Sequence, residues 1–282
     1  LEVRYLGIDP TIRGWLDERG NYMAGVAIGE PVRSNGVGVV VETNNPEEYP
    51  IGRAFMALTG WQQYCVLQSN PFPPVTMVPE EVELLDVLGV LGHIGITAYV
   101  GVLEVARPQP GETFCVSAAA SSVGSIAGQI ARLQGARVIG IAGGAEKCRR
   151  LIEDYGFDVA IDYKNKSVEQ LAAEIGAAAP NGADMVFENV GGDVFDAELL
   201  NLAKHARIVL CGLISEYNSP AKVGARNLWS ILTNQATLYG YLIMDYAPRF
   251  AEGGETRQHA LRDLDVGELY FLEFLLFLED CI

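Results

Sequence analysis

The sequence predicts an α/β protein with a doubly wound parallel sheet in its second part and a mostly β region before it. From residue 113 onward, short apolar runs alternate with segments of helical apolar periodicity. These runs are nearly continuous, as in strands that helices cover on both faces. In roughly the first ninety residues, loops rich in Pro and Gly separate short β-like runs instead.

The first region opens on LEVRYLGIDP, which has the composition of a strand already under way. Further β-like runs lie at 36–42, 53–60 and 62–67, and the loops NNPEEYPIG and SNPFPPVTMVP punctuate them. The composition changes near residue 93. We therefore place the domain boundary there.

The second region is a series of strand–helix units. Strand 113–117 leads into helix 122–134. The units that follow are strand 136–142 with helix 145–155, strand 159–162 with helix 167–178, strand 183–188 with helix 193–203, and the strands 206–212 and 236–243. Repeated short units of this kind predict a parallel sheet with right-handed crossovers.

The turn after the first of these strands reads SAAASSVG, residues 117–124. In a dinucleotide-binding turn, one glycine permits the tight turn, a second lets the backbone approach the pyrophosphate, and a third lets helix and strand pack closely. Aligned on Gly124, these places fall to Ala119, Ser121 and Gly124. Ser121 brings a Cβ and a hydroxyl to the place of the second glycine. The turn by itself is compatible with a cofactor site and with an ordinary strand–turn–helix.

The end of the second strand bears on cofactor choice. Enzymes that prefer NAD place Asp or Glu there to bind the ribose 2′-hydroxyl. Here Ala142-Gly143-Gly144 stands instead, and Lys147 follows in the next helix. A cation beside a glycine-lined pocket suits a 2′-phosphate. The alternative is a solvated surface lysine.

Composition excludes several functional classes. A formal net charge of −16 without a basic stripe argues against nucleic-acid binding. We recognise no signal peptide, no apolar run of membrane-spanning length and no redox CxxC pair, which predicts a cytoplasmic protein with reduced thiols and no membrane partner. Of the histidines, we place His93 in the boundary loop, His205 after a helix end and His259 in a terminal helix. None stands at ligand spacing from a second His or Cys, so no metal is predicted.

Several segments together carry a family resemblance. They are IDPTIRGWL (8–16), GWQQY (60–64), LGHIGITAYVGVLE (91–104), GETFCVSAAASSVGSIAGQIARLQGARVIGIAGGAEKC (111–148), IDYKN (161–165), FENVGGDVFD (187–196) and ARIVLCGLISEYN (206–218). In this order they resemble the zinc-independent, NADP-dependent medium-chain reductases, a family that includes prostaglandin, curcumin and alkenal double-bond reductases. The resemblance extends over roughly residues 3–250.

The resemblance implies a GroES-like catalytic domain formed by 1–92 and 266–282, and a Rossmann NADP-binding domain formed by 93–265. Both chain ends are expected to be shorter than in the family. The expected NADP contacts are Ala119, Ser121, Val123, Gly124, Lys147, Tyr163, Asn189, Cys211, Gly212, Leu213, Ile214 and Ser215. The expected residues of the substrate pocket are Tyr22, Trp61 and Tyr64.

The implied activity is reduction of the carbon–carbon double bond of α,β-unsaturated carbonyls by hydride from NADPH, without a metal. Tyr217 is the candidate catalytic residue, donating a hydrogen bond to the carbonyl oxygen on which charge develops. Alternatively, Tyr217 only packs on the ribose. The family also implies a homodimer. A quinone reductase stays open, because it would use the same fold and cofactor. A catalytically impaired NADP-binding protein also stays open, because Ser121 replaces the family's usual glycine and both chain ends are expected to be short. Thr11 replaces the family's usual tyrosine, so that residue's contribution to the pocket is lost.

Overall fold

The computed structural model describes residues 1–17, 22–67, 75–219 and 224–246. The chain forms two compact units, Leu1–His93 and Ile94–Ile282. Segment 266–282, which the resemblance assigns to the catalytic domain, lies outside the described residues, as does His259.

The first unit is built on an antiparallel sheet. Its strands are β1 (Glu2–Leu6), β2 (Gly36–Val39), β3 (Ala54–Ala57) and β4 (Thr76–Met77), paired in that order. Helices α1 (Thr11–Trp15) and α2 (Leu84–Leu88) accompany it. Val37 packs with Val87 and Leu88 from α2, which gives the sheet a buried face.

The prediction of a strand over 62–67 is wrong. Only Tyr64 makes a bridge, opposite Glu2, while the N–H of Cys65 donates to the Leu1 carbonyl at 2.9 Å. Cys65 is buried and Leu67 packs against the cluster of Leu1, Val40 and Phe55, but Val66 between them is 90 % exposed. The apolar composition of the run therefore does not produce a regular strand.

The second unit confirms the predicted doubly wound sheet. Its strands are β5 (Thr113–Val116), β6 (Arg137–Ala142), β7 (Val159–Asp162), β8 (Ala183–Glu188), β9 (Leu202–Leu210) and β10 (Thr237–Gly240). All neighbours are parallel, in the order β10-β9-β8-β5-β6-β7. The central strands are covered on both faces: Phe114, Cys115 and Val116 of β5 are all 0 % exposed.

Helices and a π-helical segment connect these strands. The chain contains α3 (His93–Tyr99), the π-helical Val100–Ala106, α4 (Ser122–Leu133), α5 (Ala145–Glu153), α6 (Val168–Ala178), α7 (Gly192–Leu199), α8 (Ile214–Tyr217) and α9 (Trp229–Asn234). His93 therefore begins a helix and does not lie in a loop. Within the described ranges, no helix is long and apolar enough to cross a bilayer.

Two boundaries late in the unit differ from the prediction. Helix α7 ends at Leu199 rather than 203, and β9 already begins at Leu202. Pairing with β8 explains the early strand, because Leu202 lies opposite Ala183 and the Ala183 N–H donates to the Asn201 carbonyl at 2.7 Å. His205 therefore lies inside β9, at a left-handed φ of 63°. The final strand ends at Gly240 rather than 243, and a 3₁₀ turn over Ile243–Tyr246 follows.

Candidate functional site

The candidate site of the second unit lies at the carboxyl edge of its sheet, where the strand order reverses. Strand β5 lies between β6 and β8, and the chain builds the sheet outward from β5 first on one side and then on the other. Ligands of open α/β sheets bind in the crevice at such a switch point. The loops after β5, β8 and β9 all begin at this edge.

In the turn after β5, the left-handed backbone conformation occurs at Ala118, whose φ is 46°. This corrects the assignment of the tight turn to Ala119. Ala119 is instead fully buried, and its N–H donates to the Ile141 carbonyl of β6 at 2.9 Å. A left-handed alanine costs roughly 1–2 kcal/mol, because its Cβ approaches the following carbonyl oxygen.

Ser121 is the N-cap of α4. Its φ of −84° and ψ of 171° are extended, so the backbone there does not require a glycine. Its hydroxyl oxygen accepts the Gly124 N–H at 3.3 Å. Gly124 allows close packing, since a Cβ there would overlap the Ala118 carbonyl. Val123 lies between them in the first turn of α4. Without its hydrogen bond to Ser121, the Gly124 N–H would be available to bind an anion at the start of α4.

Glycines follow β6, and Tyr163 lies against the first of them. A Cβ at Gly143 would lie 3.0 Å from the Tyr163 hydroxyl. The Asp162 carboxylate accepts the N–H groups of Gly144 at 2.8 Å and of Lys164 at 2.9 Å. These backbone hydrogen bonds lower the pKa of Asp162. They also fix the turn after β7 beside the turn after β6.

Two lysines lie on the elements that form this glycine pocket. Lys147 lies in the first turn of α5, whose N-cap is Gly144. Lys164 was missed at the sequence level, although it follows Tyr163 in IDYKN. Its Nζ lies 4.0 Å from the place of a Cβ on Gly144. Glu146, the acid next to Lys147, pairs with Arg149 at 2.5 Å.

The loop after β9 packs on the loop after β8. The Ile214 N–H donates to the Asn189 carbonyl at 3.1 Å, and the Ser215 N–H donates to the Val190 carbonyl at 2.9 Å. A Cβ at Gly212 would lie 3.2 Å from the Asn189 carbonyl oxygen and 3.4 Å from the Tyr217 hydroxyl. The structure thus brings Tyr217, at the end of α8, over a glycine of the loop.

An open cleft of about 470 Å³ adjoins this loop. Its lining residues are Leu210, Cys211, Gly212, Leu213, Tyr217, Gly240, Tyr241, Leu242 and Asp245. Tyr241 was not singled out in the sequence. Its hydroxyl donates to the Thr97 carbonyl at 2.8 Å, and burial raises its pKa well above the ordinary value. Tyr241 therefore stays neutral and forms a wall of the cleft.

The three residues expected in the substrate pocket belong to the first unit. Tyr22 packs edge-on against Trp15, with ring centroids 6.5 Å apart. Trp61 is 44 % exposed and Tyr64 is 57 % exposed. Their role at a pocket stays a prediction. In the described part of the chain, no group of three His, Cys, Asp or Glu side chains is arranged for a metal ion.

Two family models match the chain. Residues 1–75 match the N-terminal domain of oxidoreductase, and residues 122–256 match zinc-binding dehydrogenase. The second match includes all of α4 through β10. The first match lies within the first structural unit and the second match lies within the second.

Similar proteins cover most of the chain. It is 38 % identical over 258 residues to the NADPH-dependent curcumin reductase of Escherichia coli, a match to 89 % of this chain and 73 % of that protein. It is also 37 % identical over 244 residues to the NADP(+)-dependent 2-alkenal reductase of Nicotiana tabacum, a match to 86 % of this chain and 70 % of that protein.

A solved structure shows the same fold. CurA from Vibrio vulnificus in complex with NADPH matches with a TM-score of 0.83 at 36 % identity, over 93 % of this chain and 78 % of that one. The chain therefore belongs to the medium-chain dehydrogenase/reductase superfamily, as an oxidoreductase of the group that contains curcumin, alkenal and prostaglandin reductases.

Proposed function

We propose that this protein reduces the carbon–carbon double bond of α,β-unsaturated aldehydes and ketones with NADPH, without a metal. The observation that carries the proposal is the Tyr217 hydroxyl beside Gly212, on the wall of an open cleft at the carboxyl edge of the sheet. The names of the similar curcumin and alkenal reductases support this substrate class.

The glycine pocket fits the adenosine 2′-phosphate of NADP. Its donors are cationic or neutral: the ammonium groups of Lys147 and Lys164 and the hydroxyl of Tyr163. The chain after β6 presents Gly143 and Gly144 where an acid would select NAD. The turn after β5 and the loop Cys211–Ser215 would hold the rest of the dinucleotide.

The chemistry assigned to the chain is electrostatic. When bound, NADPH supplies the hydride to the carbon β to the carbonyl. Tyr217 donates a hydrogen bond to the carbonyl oxygen, where negative charge accumulates, and so stabilises the transition state. Tyr217 or water then protonates the α-carbon. The residues proposed to line the substrate pocket are Tyr22, Trp61 and Tyr64.

One observation favours a second candidate, a catalytically impaired NADP-binding protein. The Ser121 hydroxyl already accepts the Gly124 N–H, which reduces the donors that the turn offers to a pyrophosphate. A quinone reductase would use the same cofactor site with a different acceptor.

A substrate screen tests these functions against one another. NADPH oxidation is followed at 340 nm with a panel of enals, enones and quinones, and the products are identified by mass spectrometry. We expect a saturated aldehyde or ketone from the enal and enone arms. Turnover confined to quinones would support the quinone reductase. NADPH binding without oxidation across the panel would support the impaired protein.

The proposed assembly is a homodimer, and the proposed compartment is the cytoplasm. Among the described residues, β10 is an edge strand of the parallel sheet, and its Leu238 and Tyr239 are 42 % and 43 % exposed. On the neighbouring α9, Trp229 is 73 % exposed. Light scattering on the purified full chain would determine the mass of the assembly.

A further inference from the structure

A polar cluster of Ser117, Glu188 and Asn189 lies beneath the loops at the carboxyl edge of the parallel sheet. The Ser117 hydroxyl donates to Glu188 Oε2 at 2.7 Å and accepts the Asn189 N–H at 2.8 Å. The Asn189 side-chain amide donates to the Ser117 carbonyl at 2.8 Å. Ser117 and Glu188 are both 0 % exposed. The cluster therefore joins the ends of β5 and β8 in the interior.

Glu188 extends the cluster to a third strand. Its Oε1 atom accepts the N–H of Val190 at 2.6 Å and also that of Gly191. Its backbone carbonyl accepts the N–H groups of Cys211 at 2.9 Å and Gly212 at 3.1 Å. A single residue thus contacts the segments that follow β5, β8 and β9.

Packing alone does not explain this arrangement. Burying a carboxylate is costly unless hydrogen bonds compensate for its lost hydration, and an apolar side chain would fill the same volume without that cost. The three donors on the Glu188 carboxylate supply the compensation. A fully satisfied buried network also holds its members in one geometry.

The cluster fixes the orientation of the Asn189 amide. Because the Asn189 Nδ2 atom is committed to Ser117, the Oδ1 atom is left as the acceptor of that side chain. A ribose hydroxyl is a donor of matching chemistry. The Asn189 carbonyl meanwhile accepts the Ile214 N–H, so the orientation of Asn189 is coupled to the loop that carries Tyr217.

We propose, on the basis of the NADPH site described above, that Ser117 and Glu188 are positioning residues for the nicotinamide half of the cofactor. They act through Asn189 and through the loop that begins at Cys211. They do not contribute to the adenine half, which belongs to Lys147 and its glycine pocket.

The chain offers a matched control in Ser34, another buried hydroxyl. It is 1 % exposed, and its hydroxyl donates to the Asn35 carbonyl at 3.2 Å. Ser34→Ala therefore removes a buried hydroxyl, as Ser117→Ala does, but from the first unit, whereas the polar cluster lies in the second.

The test compares two ligands in the full-length protein. Adenosine 2′,5′-bisphosphate reports on the adenine half alone, whereas NADPH reports on both halves. Titrations are run with the unmodified protein, Ser117→Ala, Glu188→Gln and the control Ser34→Ala. For Ser117→Ala we expect NADPH to bind about tenfold more weakly, from loss of the paired hydrogen bonds, with unchanged affinity for the bisphosphate. The control should match the unmodified protein for both ligands.

Hydrogen exchange supplies a readout that needs no cofactor. In Ser117→Ala, the amides of 189–191 and 211–212 should exchange faster, while those at the centre of α4 should not change. Glu188→Gln should do the same, and if it does not fold, Ser117→Ala decides the question alone. An unmodified protein that binds neither ligand would overturn the proposed function and this inference together. Normal binding of both ligands by Ser117→Ala, or equal weakening of both, would overturn only this inference.

Discussion

Cofactor selection gives the sharpest prediction, and the perturbation is Lys147→Ala. Lys147 lies in the first turn of α5, the helix whose N-cap is Gly144 of the glycine pocket. A 2′-phosphate carries nearly two negative charges at neutral pH. Removing the cation should weaken NADPH binding and leave NADH binding unchanged, because NADH lacks that phosphate.

The size of the effect follows from the donors present. A charge-assisted hydrogen bond contributes roughly 1.5–3 kcal/mol, which corresponds to about ten- to a hundredfold in affinity. Partial exposure of Lys147 places the expected loss near the lower value. Lys164 is a second cation at the pocket, so the single variant should retain part of the preference and Lys147→Ala/Lys164→Ala should lose nearly all of it. Glu146 pairs with Arg149, and this ion pair reduces the repulsion between the Glu146 carboxylate and a bound phosphate.

The assay is fluorescence titration of both cofactors at two salt concentrations. Added salt should reduce the difference in affinity between NADPH and NADH, because screening weakens contacts between exposed charges. Lys204→Ala is the matched control, since that lysine lies on β9 and its ammonium donates to the Thr233 carbonyl at 3.0 Å. Equal dissociation constants for the two cofactors in the unmodified protein would refute the reasoning. So would a Lys147→Ala variant that weakens both cofactors alike.

Three further outcomes are expected. Tyr217→Phe should lower kcat about a hundredfold, the loss of one transition-state donor worth ~3 kcal/mol, with NADPH affinity unchanged; a near-normal kcat in stopped-flow assays would remove Tyr217 from catalysis. Ser121→Gly should free the Gly124 N–H and tighten NADPH binding by roughly threefold to tenfold, so unchanged or weaker binding would contradict the capping argument. Burial and the neighbouring charge of Glu188 raise the pKa of Glu198 in the folded state, so the stabilisation that this group contributes should be lost as pH rises above its unfolded value of about 4.5. In Glu198→Gln, the free energy of unfolding in urea should therefore fall less between about pH 5 and about pH 8 than it does in the unmodified protein. Parallel pH profiles of the two proteins would contradict this prediction.

The parallel sheet could be predicted from the sequence because its signals are local. Continuous apolar runs and helical periodicity identify β5 through β8 and the helices between them to within one or two residues. The glycines after β6 and the absence of an acid there are local as well. They are sufficient to suggest the kind of cofactor.

The tertiary structure decided what depends on residues distant in the chain. No local pattern places the left-handed φ at Ala118 rather than Ala119, or ends α7 at Leu199, because neighbouring strands impose both. Lys164 joins the pocket only because Asp162 ties its turn to Gly144, and Tyr217 reaches Gly212 only through the fold of the loop after β9. The Ser117–Glu188 hydrogen bond spans 71 positions of the chain. Periodicity over one helix or strand carries no information about such a contact, since it forms only when parallel strands assemble side by side.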